Sequence, residues 1–312
     1  MDSFWVAVRV VLPMALLMLL GAFVRKRGVV DRPAMRQVDK LIFRLFVPML
    51  LFKNIYETDL SASWDYRAVG FTVAGLLAVF LLALVLPSRL EPDRGKAAAI
   101  GQSMIRSNYI LFGVAVAESL YGKGNVGEVA LLGAIVVPLS NALSVVILEM
   151  NRSGSASPGK ICISILKNPM VAAALLALGV QALHIRLPEA LWSVVKDVAG
   201  ATTTISFISL GVSLDFGEVL ENRRPLMWGV VLRMLILPAV FLPLMVAFGF
   251  RGQTLCALMV AFTAPTAVAS YPMAVAMGAD GPLAGQLVCT TAVVSVGTMF
   301  LFTYIFQSLG ML

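Results

Sequence analysis

Ten apolar stretches govern what this chain can become. They lie near 4–24, 38–57, 67–87, 96–121, 126–149, 164–183, 190–214, 225–248, 254–277 and 281–308. Each can cross about 30 Å of hydrocarbon as a helix, for which roughly 20 residues suffice. In lipid the backbone must satisfy its own polar groups, which continuous apolar runs of this length do as helices. The predicted fold class is therefore all-α, a polytopic membrane protein with ten transmembrane helices. Composition agrees, because 59% hydrophobic and 13% charged residues with a mean hydropathy of +0.91 exceed what a soluble domain needs to bury. The basic cluster Arg25-Lys26-Arg27 follows the first run instead of preceding it. That run is expected to be a retained helix, not a cleaved signal.

Loop charge predicts the orientation. The odd-numbered loops carry Arg25, Lys26, Arg27, Arg32, Arg36, Lys40, Arg89, Arg94, Lys96, Arg152, Lys160, Lys167, Arg223 and Arg224, against Lys53, Arg67, Lys123, Arg186, Lys196 and Arg251 on the other side. Positive loops stay inside, so the odd loops are expected in the cytoplasm and both termini outside. The net charge of +7 is read as this loop excess, and nucleic acid is not an expected partner. The membrane expected is the cytoplasmic, or inner, membrane.

Two stretches interrupt the helical pattern at mid-span. Thr263-Ala264-Pro265-Thr266-Ala267 sets a proline among small hydroxyl residues, where a helix loses one hydrogen bond and meets a steric clash. Arg106-Ser107-Asn108-Tyr109, followed by Gly113, does the same for the fourth stretch. Backbone freed at membrane depth is tolerated only where protein or a watery cavity surrounds it. Two broken spans in corresponding halves point to a transporter's binding site. Aligning Tyr121-Gly122 with Met277-Gly278 places Asn108-Tyr109 on Ala264-Pro265. Five spans per half make the second half enter the membrane upside down, which predicts a 5+5 inverted repeat with broken helices four and nine. The boundaries are 1–150 for the first repeat, 151–160 for a flexible cytoplasmic linker and 161–312 for the second repeat.

Each break starts a half-helix whose free N–H groups and positive dipole end favour an anion. If the breaks cross, Asn108, Thr263 and Thr266 can supply hydrogen bonds, Pro265 maintains the kink, and Tyr109 forms an amphipathic wall. Arg106 either grips a carboxylate with two parallel bonds or offsets the carbonyls that end its own half-helix. Asn141 and Ser270 are candidates for polar support. The ligand expected from these residues is an organic anion.

Several motifs carry a resemblance. Ser107-Asn108-Tyr109-Ile110-Leu111-Phe112-Gly113, ending at Tyr121-Gly122, resembles the fourth-helix crossover of the auxin efflux carrier family. Ala264-Pro265-Thr266-Ala267, running on to Met273 and Gly278-Ala279-Asp280, resembles its ninth-helix crossover. Phe46-Val47-Pro48-Met49-Leu50-Leu51-Phe52, Lys167-Asn168-Pro169 and Ser209-Leu210-Gly211-Val212-Ser213-Leu214 are further matches. The resemblance implies the inverted fold of the bile acid sodium symporter superfamily. It also implies a scaffold of helices 1, 2, 6 and 7 that often forms a homodimer, with helices 3–5 and 8–10 as the transport unit. Plant members have a proline before the crossover asparagine, where this chain has Ser107, and often a long central loop, so auxin itself is not implied. The similarity is to prokaryotic permeases for malate, malonate and related acids.

An intramembrane enzyme would need a nucleophile with its base, or metal ligands, at membrane depth. The single histidine, His184, falls in an outer loop, and Cys162, Cys256 and Cys289 have no CxxC spacing. No catalytic residue, metal or cofactor is expected. An anion channel built on the same broken helices is the alternative to a carrier. The coupling ion, sodium or proton, is open. Glu118 reads as the one acidic residue well inside a span, about 15 Å from the crossing, and the want of a central carboxylate weighs against protons. Of the other intramembrane cations, Arg9 and Arg44 are expected to snorkel to the interface, while Arg233 lies deeper in a span poor in acidic partners.

Overall fold

The computed structural model describes residues 2–57, 65–153, 163, 167–213 and 216–312, and they are helical except for turns, loops and one isolated bridge. In chain order the helices are α1 (Asp2–Lys26), α2 (Arg32–Leu41), α3 (Val47–Tyr56), α4 (Tyr66–Leu90), α5 (Arg94–Ile105), α6 (Tyr109–Tyr121), α7 (Gly127–Ser153), α8 (Pro169–Ala182), α9 (Glu189–Ser213), α10 (Phe216–Glu221), α11 (Arg223–Val231), α12 (Leu237–Ala247), α13 (Gly252–Thr263), α14 (Ser270–Met277) and α15 (Gly281–Ser308). Tyr66–Leu90, Gly127–Asn151, Arg223–Ala247 and Gly281–Ser308 are long and apolar enough to cross a bilayer, and α6, α8 and α13 are shorter apolar helices. This is an all-helical, polytopic membrane protein.

Side-chain caps fix where the helices begin. Asp31, Asp93, Asn168 and Asp280 each accept a backbone N–H from the first turn, at 2.8, 2.9, 3.0 and 2.7 Å. Such caps supply partners for donors that the helix itself cannot satisfy. The Asp31 cap, with Pro33 directly behind it, starts the second span at Arg32 rather than near 38. The added turns are polar, which is why hydropathy alone misses them. Most of the expected linker, residues 154–160, lies outside the described residues, as do Cys162 and Asp215.

Two helices carry a π-turn. Ile42–Phe46 joins α2 to α3, and Leu232–Ile236 joins α11 to α12. Each is followed by a proline, Pro48 or Pro238. One extra residue in the turn relieves the clash of the ring with the preceding turn and redirects a carbonyl. The carbonyl of Phe46 is the one so used, accepting from Thr202 Oγ1 of α9 at 3.1 Å.

α1 lies against α9 with backbones touching. A Cβ on Gly21 would stand 2.1 Å from the Ile208 carbonyl oxygen, and one on Gly211 2.0 Å from that of Met18. Small residues permit this approach, and in lipid the resulting van der Waals contact holds helices together. α3 packs on both α8 and α9, while α4, α5 and α7 form a separate mutual contact. The residues Ala97–Ile105 of α5 and Leu255–Thr263 of α13 are buried on every side. A helix apolar and covered all round belongs at the centre of an assembly, and these two bring their broken ends together there.

Candidate functional site

α5 stops at Ile105, and the chain is extended at Arg106 before α6 resumes at Tyr109. α13 stops at Thr263, Ala264 is extended, and α14 resumes at Ser270. The two breaks bond to each other. Asn108 N–H donates to the Pro265 carbonyl at 2.8 Å, and Ala267 N–H donates to the Arg106 carbonyl at 3.1 Å. Ser107 and Thr266 thereby form an antiparallel bridge. The offset read from Tyr121-Gly122 and Met277-Gly278 would pair Ser107 with Thr263. The register differs because the second break leaves residues 264–269 outside helix and the first only 106–108.

Arg233 closes the crossing from one side. It is 1% exposed, and its place on the π-turn directs the guanidinium at carbonyls that the breaks leave over. Nε and Nη2 donate to the Ala264 carbonyl at 3.0 and 2.6 Å, Nη1 to Met104 at 2.7 Å, and Nη2 to Ala261 at 3.4 Å. Ala261 is the residue whose helical donor would have been position 265, where proline has no N–H. Met104 would have been served by Asn108 N–H, which bonds Pro265 instead. One cation thus ends both half-helices, where the dipoles are negative. Thr291 Oγ1 of α15 adds a further tie, accepting from Thr266 N–H at 3.1 Å.

With those bonds in place the proline has little left to do. Pro265→Ala is expected to keep residues 264–269 out of the helix. A continuous helix would break the Asn108–Pro265 and Ala267–Arg106 bonds and strip Arg233 of partners, for the gain of one backbone bond. Melting is expected to shift by less than about 1 kcal/mol in stability. Hydrogen exchange across 264–269 checks this, and strong new protection there would assign the break to the proline.

On the other face of the crossing lies a cavity of about 310 Å³, in the usual range for ligand pockets of about 300–1,000 Å³. Arg106, Ser107, Asn108, Tyr109 and Asn141 line it, together with Lys53 and Asn54 of α3 and Thr203 of α9. Arg106 is 4% exposed, and its Nη1 donates to the Ala269 carbonyl at 3.1 Å and meets Met273 Sδ at 3.0 Å. Asn108 occupies the N-cap of α6 without a side-chain cap bond. Asn141 donates to Val137 in its own helix at 2.8 Å, while its Oδ1, like Ser107 Oγ, is buried without a protein partner. Tyr109 is buried, with its ring edge against Gly133.

Thr263, Pro265, Thr266 and Ser270 sit at the crossing but not on the cavity wall. Thr263 Oγ1 bonds the Met259 carbonyl one turn back at 2.8 Å, Pro265 and Thr266 form the bridge, and Ser270 opens α14. The sequence places Lys53 with the charges of the outer side. It is within α3, paired with Glu57 at 2.8 Å, and it lines the cavity. Both charged lining residues, Lys53 and Arg106, are cationic.

One expectation about intramembrane charge changes. Arg44 is exposed, and the Arg9 side chain lies outside what is described. Glu118 is not the most enclosed acid. It is half-buried and accepts from Gly124 N–H at 3.4 Å, whereas Asp39 and Glu149 are buried.

A family model described as membrane transport protein matches residues 6–303. An uncharacterized transporter of Methanothermobacter thermautotrophicus is 22% identical over 301 residues, covering 95% of this chain and 97% of that protein. The uncharacterized transporter YfdV of Escherichia coli K12 is 23% identical over 265 residues, with 82% and 83% covered.

Proposed function

The chain belongs to the membrane transport protein family, the family of the auxin efflux carriers, and from that premise we propose that it carries small organic anions, carboxylates such as malate or malonate, by alternating access around the crossed breaks. The observation that carries the reading is the charge of the cavity. Its charged lining residues are Arg106 and Lys53, and the uncapped N-terminal turn of α6 opens onto the same space. Arg106 and a helix N-terminus favour an anion, and Lys53, on leaving its Glu57 partner, can meet a second carboxylate.

Helix lengths support the ten-span inverted repeat in this reading. α5 and α13 have 12 residues each, α4 and the continuous helix Arg223–Ala247 have 25 each, and α7 and α15 have 27 and 28. The continuous helix Arg32–Tyr56 has its counterpart in α9. The two reciprocal bonds between the breaks fit a local two-fold axis. On this reading the spans of α1, α2–α3, α8 and α9 form the scaffold, with the odd loops cytoplasmic, and a homodimer would use scaffold faces.

A stability screen of the purified protein against mono- and dicarboxylates tests the substrate class. Binding to the folded state at a hundredfold excess over Kd adds about 2.7 kcal/mol, which is a readable melting shift. Malate or malonate is expected to stabilise more than acetate, and a screen in which no carboxylate stabilises would sink the reading. Counterflow of preloaded malonate in proteoliposomes separates a carrier from a channel, because a pore gives conductance without exchange.

A further inference from the structure

Asp39 is a carboxylate that the anion cavity does not use. It is 0% exposed, although its neighbours Arg36 and Lys40 on α2 are exposed. The first cavity residue on the same continuous helix is Val47, eight residues and about 12 Å further along the axis. Asp39 therefore lies well short of the cavity on that helix, about two turns beyond the Asp31 cap.

Two hydroxyls from two other helices converge on it. Ser209 Oγ of α9 donates to Oδ1 at 2.5 Å, and Tyr271 OH of α14 donates to Oδ2 at 3.2 Å. α14 is the half-helix that resumes directly after the second break. The opposite face of α14 places Met273 and Met277 in an apolar cluster with residues of α3, α8 and the first π-turn. The carboxylate is thus the polar tie between the broken helix and the α2–α9 pair.

We propose that Asp39 is the proton-binding site that couples this carrier to a pH gradient, holding α14 against α2 and α9 when charged and releasing it when protonated. The proposal rests on the carrier reading of the crossing. A carboxylate accepts both hydroxyl bonds as charge-assisted bonds, which are about twice as strong as neutral ones. A proton arriving from hydronium forms an O–H bond on one Oδ and removes the charge. That oxygen becomes a donor, and one of the two hydroxyls loses its strong acceptor. Return of the proton to water on the other side of the membrane restores the tie, so one proton moves per cycle and nothing else is consumed.

Among the described residues, Asp39 is the carboxyl group at this tie. From α14 the titratable neighbour is Tyr271, which also meets Ser213 of α9. α9 otherwise presents Ser209, its charged residues Glu189, Lys196 and Asp197 being at least about 18 Å along the axis. Arg36 lies within electrostatic reach on α2 itself. Arg44 of the π-turn is exposed, and Arg25 of α1 is engaged with the Val212 carbonyl at 3.3 Å.

The test uses the full-length protein and two readouts. Hydrogen exchange across α14, corrected for intrinsic rate, is followed from about pH 8 to about pH 4, a range that reaches the ordinary titration of a carboxyl group. Labelled malonate uptake is measured in proteoliposomes with and without a pH gradient, alongside counterflow. In the wild type, α14 is expected to lose protection about tenfold as pH falls, the scale of losing one charge-assisted bond. Asp39→Asn is expected to show the low-pH behaviour throughout and to keep counterflow while losing gradient-driven accumulation. Tyr271→Phe retains the carboxylate but removes the α14 bond, and is expected to flatten the same pH dependence if the Asn variant folds poorly. Exchange of α14 that ignores pH in the wild type, or pH dependence that persists in Asp39→Asn, overturns the proposal. Malonate that is not carried, with the exchange result intact, overturns the substrate class and leaves the proton site standing.

Discussion

Arg233→Met is expected to cost more stability than any other single substitution at the crossing. Methionine matches the apolar length of arginine but offers no donor, so the carbonyls of Ala264, Met104 and Ala261 lose their partner together. In membranes, polar bonds between helices average about 0.6 kcal/mol and reach about 1.7. The three shortest bonds then amount to roughly 2–5 kcal/mol, a large share of the roughly 5–15 kcal/mol that holds a typical protein together. The residues of α13 around these carbonyls are buried on every side. The expected outcome is a strongly lowered melting temperature in detergent and loss of malonate counterflow. Arg233→Lys keeps the charge but not the planar fork, so it reaches fewer carbonyls and is expected to fall between. Wild-type melting and counterflow in Arg233→Met would show that the breaks are held by the bridge and packing without it.

Arg233 also shows what a sequence can and cannot disclose here. The spans were legible because hydropathy reports directly on the medium that a helix faces. Both breaks were legible because proline and the Arg-Ser-Asn cluster stand out within apolar runs. Arg233 looked partnerless because its partners are main-chain carbonyls, which every residue has and no side-chain pattern announces. The π-turn that aims it is equally silent, except for Pro238 just beyond. Asp39 was missed for a different reason. Its surroundings, Arg36 and Lys40, read as an interfacial loop, and only the Asp31 cap extends the helix far enough to bury one face of that polar turn. Thr291 lies 25 residues from the Thr266 N–H it accepts from. Pairing at that distance follows from helix packing, not from any local pattern. The cavity was half legible: Arg106, Asn108, Tyr109 and Asn141 line it, whereas Lys53 and Thr203 come from helices that carry no break.

Arg106→Lys is expected to weaken carboxylate affinity by about tenfold or more with melting little changed. The reasoning begins from what Arg106 already does. One of its nitrogens, Nη1, is committed to the Ala269 carbonyl and Met273 Sδ, while the side chain as a whole lines the cavity. A guanidinium has five donors in a rigid plane, so that commitment leaves others for a ligand. Lysine can keep the bond to Ala269 or meet a carboxylate, but its single ammonium cannot grip two oxygens side by side while holding the carbonyl. Loss of one charge-assisted bond is worth roughly 1.5–3 kcal/mol, which is at least about tenfold in Kd. A dicarboxylate with its second group near Lys53 depends on both ends of the cavity being cationic, so malonate is expected to lose more than acetate. Calorimetry or melting shifts with the two acids read this difference directly. Arg106→Ala removes the tie to Ala269 as well and is expected to lower melting in addition to abolishing malonate binding. If Arg106→Lys binds both acids like the wild type and Arg106→Ala is merely unstable, then Arg106 belongs to the support of the break. The anion would then rest on Asn108, Lys53 and the N-terminal turn of α6.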